Sequence, residues 1–402
     1  MAAGFLLKPR RRSGKIAVMT DIGVDRQRLR TWIELDRDAI AHNLRVLRGL
    51  LPDGCRLMAV AKSNAYGHGL YDFVPAVDQL GADWLGVDSI VEAATLREIG
   101  IEKPILVLGY TLPARFEEAA RNRIVLTVSS FENLEALGRS GYAERIRVHI
   151  KIDTGLHRQG FLPDQVGELL SVLRRDHPGL VVDGLYTHFA EAKDPDDTGY
   201  TQRQIAAFQA AAAAFRESGF RPMLHACGTG GMLLHPEAHL DMVRTGIGLF
   251  GQWPSRKIRA ALENRTPLHP VLSWRTILSE IKTLPAGSGI SYKLTETLEK
   301  DSVVGVCPIG YWHGFPRALS RRGEVLVRGQ RARVLGAVTM DMIVVDLTGI
   351  PAVRAGDTVT VIGRDGADEV AAGELAERAG QSLYEFLTRL NPLIRKYVLP
   401  VT

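Results

Sequence analysis

From about residue 56 to residue 250, short apolar and β-branched runs alternate with amphipathic stretches, the pattern of strands joined by crossover helices. Eight such runs occur, at 57–61, 84–87, 105–108, 124–128, 148–152, 182–187, 223–227 and 240–243. Eight strands in alternation with helices predict a (β/α)8 TIM barrel. Ser89 with Glu92 three residues on predicts a capping box ahead of Ile90, Ala93, Ala94 and Leu96, and Gly100 supplies the stop. The alanine-rich stretch 205–215 predicts another helix. Ahead of the first strand, Asp38 is a candidate cap for a helix whose Ile40, Leu44 and Leu47 recur at i, i+4 and i+7.

After about residue 263 the pattern changes to β-rich runs such as VLSWRTILSEI, EVLVRG and ARVLGAVTMDMIVVDL, separated by Gly, Pro and Asp. A mostly β C-terminal domain is therefore expected over 263–402, interrupted by a short helix near 371–378. Residues 31–35 also read as a strand, open to pairing with that domain or with the barrel over 37–262.

Length and composition agree with this division. At roughly one domain per 150 residues, a 402-residue chain suggests two or three units. With 46% hydrophobic and 24% charged residues, the composition excludes wholesale disorder and a membrane protein. The formal charge of +5 is concentrated at the start, where Lys8, Arg10, Arg11, Arg12 and Lys15 precede the first acid, Asp21. Residues 1–30 read as a basic, disordered tail. The body of the chain calls for no nucleic acid and no membrane surface. Three scattered cysteines, Cys55, Cys227 and Cys307, suit neither a disulfide framework nor a thiolate metal site, so no metal is expected. With no signal-peptide order in the opening residues, a cytoplasmic location is expected.

In a (β/α)8 barrel, chemistry is built from the loops at the carboxyl ends of the strands. Lys62 follows the first run, Arg158 lies after the fifth, His188 after the sixth, Gly228 and Thr229 after the seventh, and Arg244 after the eighth. An ammonium at a dry barrel mouth would have a depressed pKa suited to imine chemistry. Position alone favours Lys62 as an ion-paired lysine that closes the strand, a structural His188 and a plain loop for GTGG at 228–231.

The run AVAKSNAYGHG at 59–69 resembles the cofactor-lysine signature of the alanine racemases. The resemblance continues through KIDTGLHRQGF, THF, HPEAHLDMVRTGIGLFG, SGISY, PIGYWHGFPR and LGAVTMDMIVVDL, in order, over most of 31–397. It implies a barrel bearing pyridoxal 5'-phosphate on Lys62, a following β domain joined by the strand at 31–36, and a homodimer with shared active sites. The implied activity is racemisation of a small amino acid, L-alanine to D-alanine, supplying cell-wall peptidoglycan.

By the same resemblance, Lys62 and Tyr292 of a partner subunit are the two bases. Tyr66, Thr229, Gly246 and Ile247 form the phosphate cradle, Arg244 faces the pyridine nitrogen and His188 lies against the cofactor ring. Arg158 and the backbone near Met340 hold the substrate carboxylate, Tyr311 lines the entrance and Tyr384 bounds the methyl pocket. In many members the lysine equivalent to Lys151 carries a carbamate, which makes Lys151 a candidate for that modification. Two departures stand out: Gly228 replaces a frequent asparagine, and Trp312-His313 replaces a usual Ala-Asp. A racemase of serine or of broad specificity is one alternative, and a non-catalytic protein that binds the cofactor is another. A decarboxylase of the same architecture would need an acid where Arg244 stands.

Overall fold

The computed structural model describes residues 28–196 and 199–400; the expectation of a disordered basic tail falls, up to residue 27, outside them. Strand β1 (Thr31–Asp36) runs directly into a helix, Arg37–Arg48. Eight parallel strands follow: β2 (Arg56–Val60), β3 (Trp84–Val87), β4 (Ile105–Val107), β5 (Val125–Val128), β6 (Arg147–Lys151), β7 (Val181–Tyr186), β8 (Met223–His225) and β9 (Met242–Thr245). From β2 to β8 each pairs with the next, and β9 pairs with β2 on its other side. Between β8 and β9, the N–H of Asp241 donates to Leu224 O at 3.1 Å and that of Arg244 to Cys227 O at 3.0 Å, closing the ring. The (β/α)8 barrel expected from the hydrophobic pattern is the fold observed.

Alternation along a strand sends every second side chain into the barrel. Met58, Val60, Trp84, Leu106, Val125 and Met242 form an apolar cluster there, separate from the main core between strands and helices. On β6 to β9 the same periodicity turns His149, Lys151, Tyr186, His225 and Arg244 inward, all of them buried. The barrel interior is thus oil on one side and a polar network on the other.

Several local expectations are corrected. The helix Arg37–Arg48 is capped by Asp36, whose Oδ1 accepts from Ala39 N at 2.9 Å. Asp38 lies two residues too far along, inside the first turn, because the helix starts with no linker after β1. Ile40, Leu44 and Leu47 are buried as the spacing predicts. The last barrel strand begins at Met242, not at 240, because Leu240 has a φ of 54°, outside the extended region. The strand also ends later, with Arg244 opposite Met58 and Thr245 opposite Ala59 of β2, so Arg244 is inside β9 and not after it. Among the described residues the β-rich part contains two α-helices, Ala372–Arg378 and Leu383–Thr388, where the sequence pattern predicts only the first.

The strands after the barrel are β10 (Leu272–Ile277), β11 (Glu280–Leu284), β12 (Gly289–Ile290), β13 (Glu296–Thr297), β14 (Ser302–Cys307), β15 (Glu324–Val327), β16 (Gln330–Leu335), β17 (Ile343–Asp346), β18 (Thr358–Asp365), β19 (Asp368–Val370) and β20 (Arg395–Leu399). Most form one sheet in the order β11-β14-β17-β16-β15-β18-β10-β1-β20. Strand β1 lies antiparallel to β10, with Ile33 opposite Trp274, and parallel to β20, with Glu34 opposite Tyr397. Trp274 is wholly buried and its indole N–H donates to Thr31 Oγ1 at 2.7 Å, so burial of the ring leaves no donor unmet.

The two parts meet at the barrel mouth. Gly67 has a φ of 84°, and a Cβ built on it would collide with the carbonyl oxygen of Leu387 in the helix Leu383–Thr388. Only glycine allows both the left-handed turn and that backbone approach.

Candidate active site

Lys62 follows β2, and the four residues after it, Ser63 to Tyr66, all have φ between 51° and 56°. A left-handed turn of non-glycine residues costs about 1 kcal/mol or more per residue, so the surrounding structure must hold it. Asn64 Oδ1 accepts from Leu70 N at 2.8 Å, and His68 Nδ1 lies 3.2 Å from Tyr66 O. Glu92 Oε1 accepts from Asn64 N at 3.1 Å and its Oε2 from Asp88 N at 2.9 Å. The expected capping box is therefore half made. Ser89 Oγ accepts from Glu92 N at 3.3 Å, but the Glu92 carboxylate turns to the neighbouring loop in place of Ser89 N. Lys62 Nζ faces Asp88 Oδ1 at 3.3 Å.

Across the mouth, Arg244 is almost wholly buried. Its Nη1 lies 2.8 Å from His225 Nδ1, and its Nη2 reaches Thr187 O at 2.7 Å, Ala226 O at 2.8 Å and His188 Nδ1 at 3.1 Å. Among these partners there is no carboxylate. Burial lowers its pKa to about 10, which leaves it a cation at neutral pH. His188 and His225 are driven well below the usual histidine range, by burial first and then by Arg244. Lys151, inside β6, has its pKa lowered to about 8 by burial and then by Arg158 and Arg244; its Nζ lies 3.3 Å from Gln159 Oε1. The loop carrying Arg158 is shaped by Asp153, which accepts from the N–H groups of Gly155, His157 and Arg158 at 3.0, 2.9 and 3.1 Å.

Beside this cluster, the helix Thr229–Leu234 opens without a capping side chain, so its first N–H groups have no intrahelical acceptor. Thr229 Oγ1 accepts from Gly246 N at 3.3 Å and lies 3.1 Å from Thr245 Oγ1. Ile247 is buried next in the chain. A Cβ at Gly246 would lie 2.7 Å from Tyr66 Oη, and one at Gly230 would collide with Ala192 O. At Gly228 a Cβ would lie 3.0 Å from His188 Cε1, so the glycine found in place of asparagine leaves room for that imidazole. Tyr384 joins from the helix Leu383–Thr388, with its ring 6.1 Å from that of Tyr66 and under the Lys193 ammonium at 4.9 Å.

Tyr292, Tyr311 and Met340 stand apart from this group. All three are exposed, Tyr292 at 75%, and none hydrogen-bonds to the barrel cluster among the described residues. Tyr311 and Met340 are brought together: Tyr311 N donates to Thr339 O and Trp312 N to Met340 O, both at 3.0 Å. Trp312 is exposed beside them, whereas His313 turns inward and its Nδ1 accepts from Gly310 N at 3.2 Å.

Comparison with known proteins supplies the family. The alanine racemase N-terminal domain matches residues 35–254 and the C-terminal domain residues 271–398. The chain belongs to the alanine racemase family. An alanine racemase of Symbiobacterium thermophilum is 40% identical over 371 residues, covering 91% of this chain and 96% of that protein. The structure of alanine racemase from Bacillus anthracis with bound L-Ala-P superposes with a TM-score of 0.86 at 33% identity, covering 92% of this chain and 95% of that one. That from Streptomyces lavendulae gives 0.86 at 34% identity, covering 93% and 98%.

As in any alanine racemase family member, the mouth must be tested against pyridoxal phosphate. It offers a lysine amine, free helix N–H groups beside a threonine hydroxyl, and a glycine-lined cradle that a Cβ at Gly246 would fill. Lys62, Lys151, Arg158 and Arg244 all act electrostatically on His188, so the field there is positive. An anionic cofactor fits this donor set. Sequence reasoning missed His149, Tyr186 and His225, although His149 stands two residues before Lys151 and Tyr186 two before His188, a readable period of two. It also missed Asp88 and Asp153, for which single loop carboxylates gave none.

Proposed function

We propose that this chain interconverts L- and D-alanine with pyridoxal phosphate held on Lys62, supplying D-alanine for peptidoglycan. The observation that carries the reading is Arg244, a buried cation whose four partners are two imidazoles and two carbonyls. With a pKa of about 10 its guanidinium is too weak an acid to protonate a pyridine nitrogen, and would leave one facing it neutral, which favours prompt return of a proton over decarboxylation or transamination.

Lys62 would hold the cofactor covalently, and the Thr229 hydroxyl, the Gly246 and Ile247 backbone and the Tyr66 hydroxyl would hold its phosphate. When bound, the cofactor makes the α-proton of an amino acid acidic by delocalising the electrons left behind. Lys62 Nζ moves the proton on one face of the α-carbon, and a second base must serve the other face. That base is Tyr292 of the partner subunit. Its support is exposure: Tyr292, Tyr311, Trp312, Met340 and Met342 are large side chains left bare on the β-rich part, with Tyr311 and Trp312 hydrogen-bonded to the backbone of Thr339 and Met340. Arg158 orients the substrate carboxylate with a planar pair of donors, and Tyr384 limits the side chain.

Lys151 is suited to carbamate formation. With its pKa lowered to about 8, a fraction is neutral amine near neutral pH, and an anion there would relieve its repulsion with Arg158 and Arg244. Attack of the amine on carbon dioxide forms the N–C bond and releases one proton.

The test is incubation of purified protein and pyridoxal phosphate with L-alanine, L-serine or L-lysine in deuterium oxide. Alanine should lose optical rotation as deuterium enters its α-position, fastest of the three. Carbon dioxide release would replace this reading with a decarboxylase, a serine preference would reassign the substrate, and binding without exchange would leave only a cofactor-binding protein.

A further inference from the structure

We propose that Glu92 is a positioning residue for Lys62, fixing with one carboxylate both the left-handed turn that carries Lys62 and Tyr66 and the Asp88 that faces the Lys62 ammonium. The inference rests on the reading of Lys62 as the cofactor lysine. Glu92 belongs to the helix Ile90–Glu98 after β3, whereas Lys62 follows β2, so the link joins two neighbouring strand–helix units. Its Oε1 takes the N–H of Asn64 at 3.1 Å, in the middle of the turn. Its Oε2 takes the N–H of Asp88 at 2.9 Å, and Asp88 in turn presents Oδ1 to Lys62 Nζ at 3.3 Å.

The other side-chain bonds to this turn, from Asn64 and His68, come from within the segment itself. Among the described residues, Glu92 is the one side chain from outside 61–70 that hydrogen-bonds its backbone. Four successive residues held against their intrinsic handedness need such an external hold, since each alone prefers the right-handed region. Chemistry also selects a carboxylate. Two backbone donors converge on two acceptor oxygens, so an amide at 92 would point its own NH2 at one of them. Release of the turn would displace Lys62 Nζ and the Tyr66 hydroxyl together, because both hang from the same five residues.

The experiment uses the full chain. Wild type is loaded with pyridoxal phosphate, reduced with borohydride and mapped by peptide mass; a label on Lys62 is expected, and one elsewhere overturns the cofactor reading beneath this proposal. Glu92→Gln is then compared with Ser89→Ala, which removes the cap of the same helix without touching the turn. Loss of one charge-assisted bond corresponds to about a tenfold change. Without cofactor, amide exchange in 62–70 should rise about tenfold in Glu92→Gln and stay near wild type in Ser89→Ala. With cofactor, labelling of Lys62 should need about tenfold more pyridoxal phosphate in Glu92→Gln only, and kcat should fall with little change in the KM for alanine. Unchanged exchange in 62–70, unchanged labelling, or an equal loss in Ser89→Ala would each overturn the proposal while leaving Lys62 as the cofactor lysine.

Discussion

Arg244 Nη1 sits 2.8 Å from His225 Nδ1, and this one contact sets the direction of a buried chain. A guanidinium only donates, so His225 Nδ1 must be the acceptor and its Nε2 must carry the proton. That Nε2 lies 2.8 Å from His149 Nδ1, which is then also an acceptor. His149 is left protonated at Nε2, facing Asp183 Oδ2 at 3.7 Å, with Arg147 paired to the same carboxylate. Both imidazoles are thus neutral Nε2–H tautomers running from a cation to an anion. Nitrogen NMR of histidine-labelled protein should show both residues as Nε2–H tautomers. A proton on His225 Nδ1 would sink this ordering, and Asp183→Asn should shift the signals of His149 first.

Gly67 and Gly81 provide a matched pair for backbone strain. Both have positive φ, 84° and 102°, but a Cβ at Gly81 meets nothing within 4 Å, whereas one at Gly67 strikes the Leu387 carbonyl. Gly81→Ala should cost about 1 kcal/mol from conformation alone. Gly67→Ala adds a backbone collision at the junction of barrel and β-rich part, so a loss of about 3 kcal/mol or more is expected. Urea denaturation of the two variants checks this; equal losses would mean that Leu387 yields freely.

Acid should weaken the fold through its buried histidines. His68 is wholly buried, stacked on Phe250 with ring centroids 4.2 Å apart, and burial lowers its pKa to about 4. Because the unfolded chain binds this proton near pH 6.5 and the folded chain does not, stability is lost as pH falls through that window. The loss is complete below about pH 4, and a shift of this size amounts to about 3 kcal/mol. His149, His188 and His225 are lowered too, each by burial first, and add in the same direction. His68→Gln should therefore show a shallower fall in stability between pH 6.5 and 4 than wild type. An identical slope in the two proteins would remove His68 from the account.

Much of this was legible because periodicity is a property of few neighbours. Eight apolar runs gave eight strands, and Lys62, His188 and Thr229 lie at the ends of three of them, where barrel chemistry is built. What could not be read depended on groups distant in sequence or on φ. Leu240 in a left-handed conformation starts the last strand two residues late, and pairing with β2 carries that strand past Arg244 to Thr245. Glu92 has the spacing of a capping box, yet two stronger claims on its carboxylate come from Asn64, 28 residues earlier, and from the strand end at Asp88. The helix holding Tyr384 is a six-residue element whose stability comes from burying Phe386 and Leu387, which a short window does not reveal.

Mixing two inactive variants tests where the second base comes from. If Lys62 and Tyr292 of different chains form each site, a symmetric dimer contains two such pairs. A Lys62→Ala chain joined to a Tyr292→Ala chain then has one site with both groups missing and one with both present. Random reassociation of equal amounts makes about half the dimers mixed, each with one intact site of two, so about one quarter of wild-type activity should return. Each variant alone should stay nearly inactive at any concentration, while Tyr292→Ala still binds pyridoxal phosphate on Lys62. Were Tyr292 to serve the site of its own chain, every mixed dimer would hold two broken sites and mixing would restore nothing. The recovered activity should also fall on dilution, since a site made from two chains is lost when they separate.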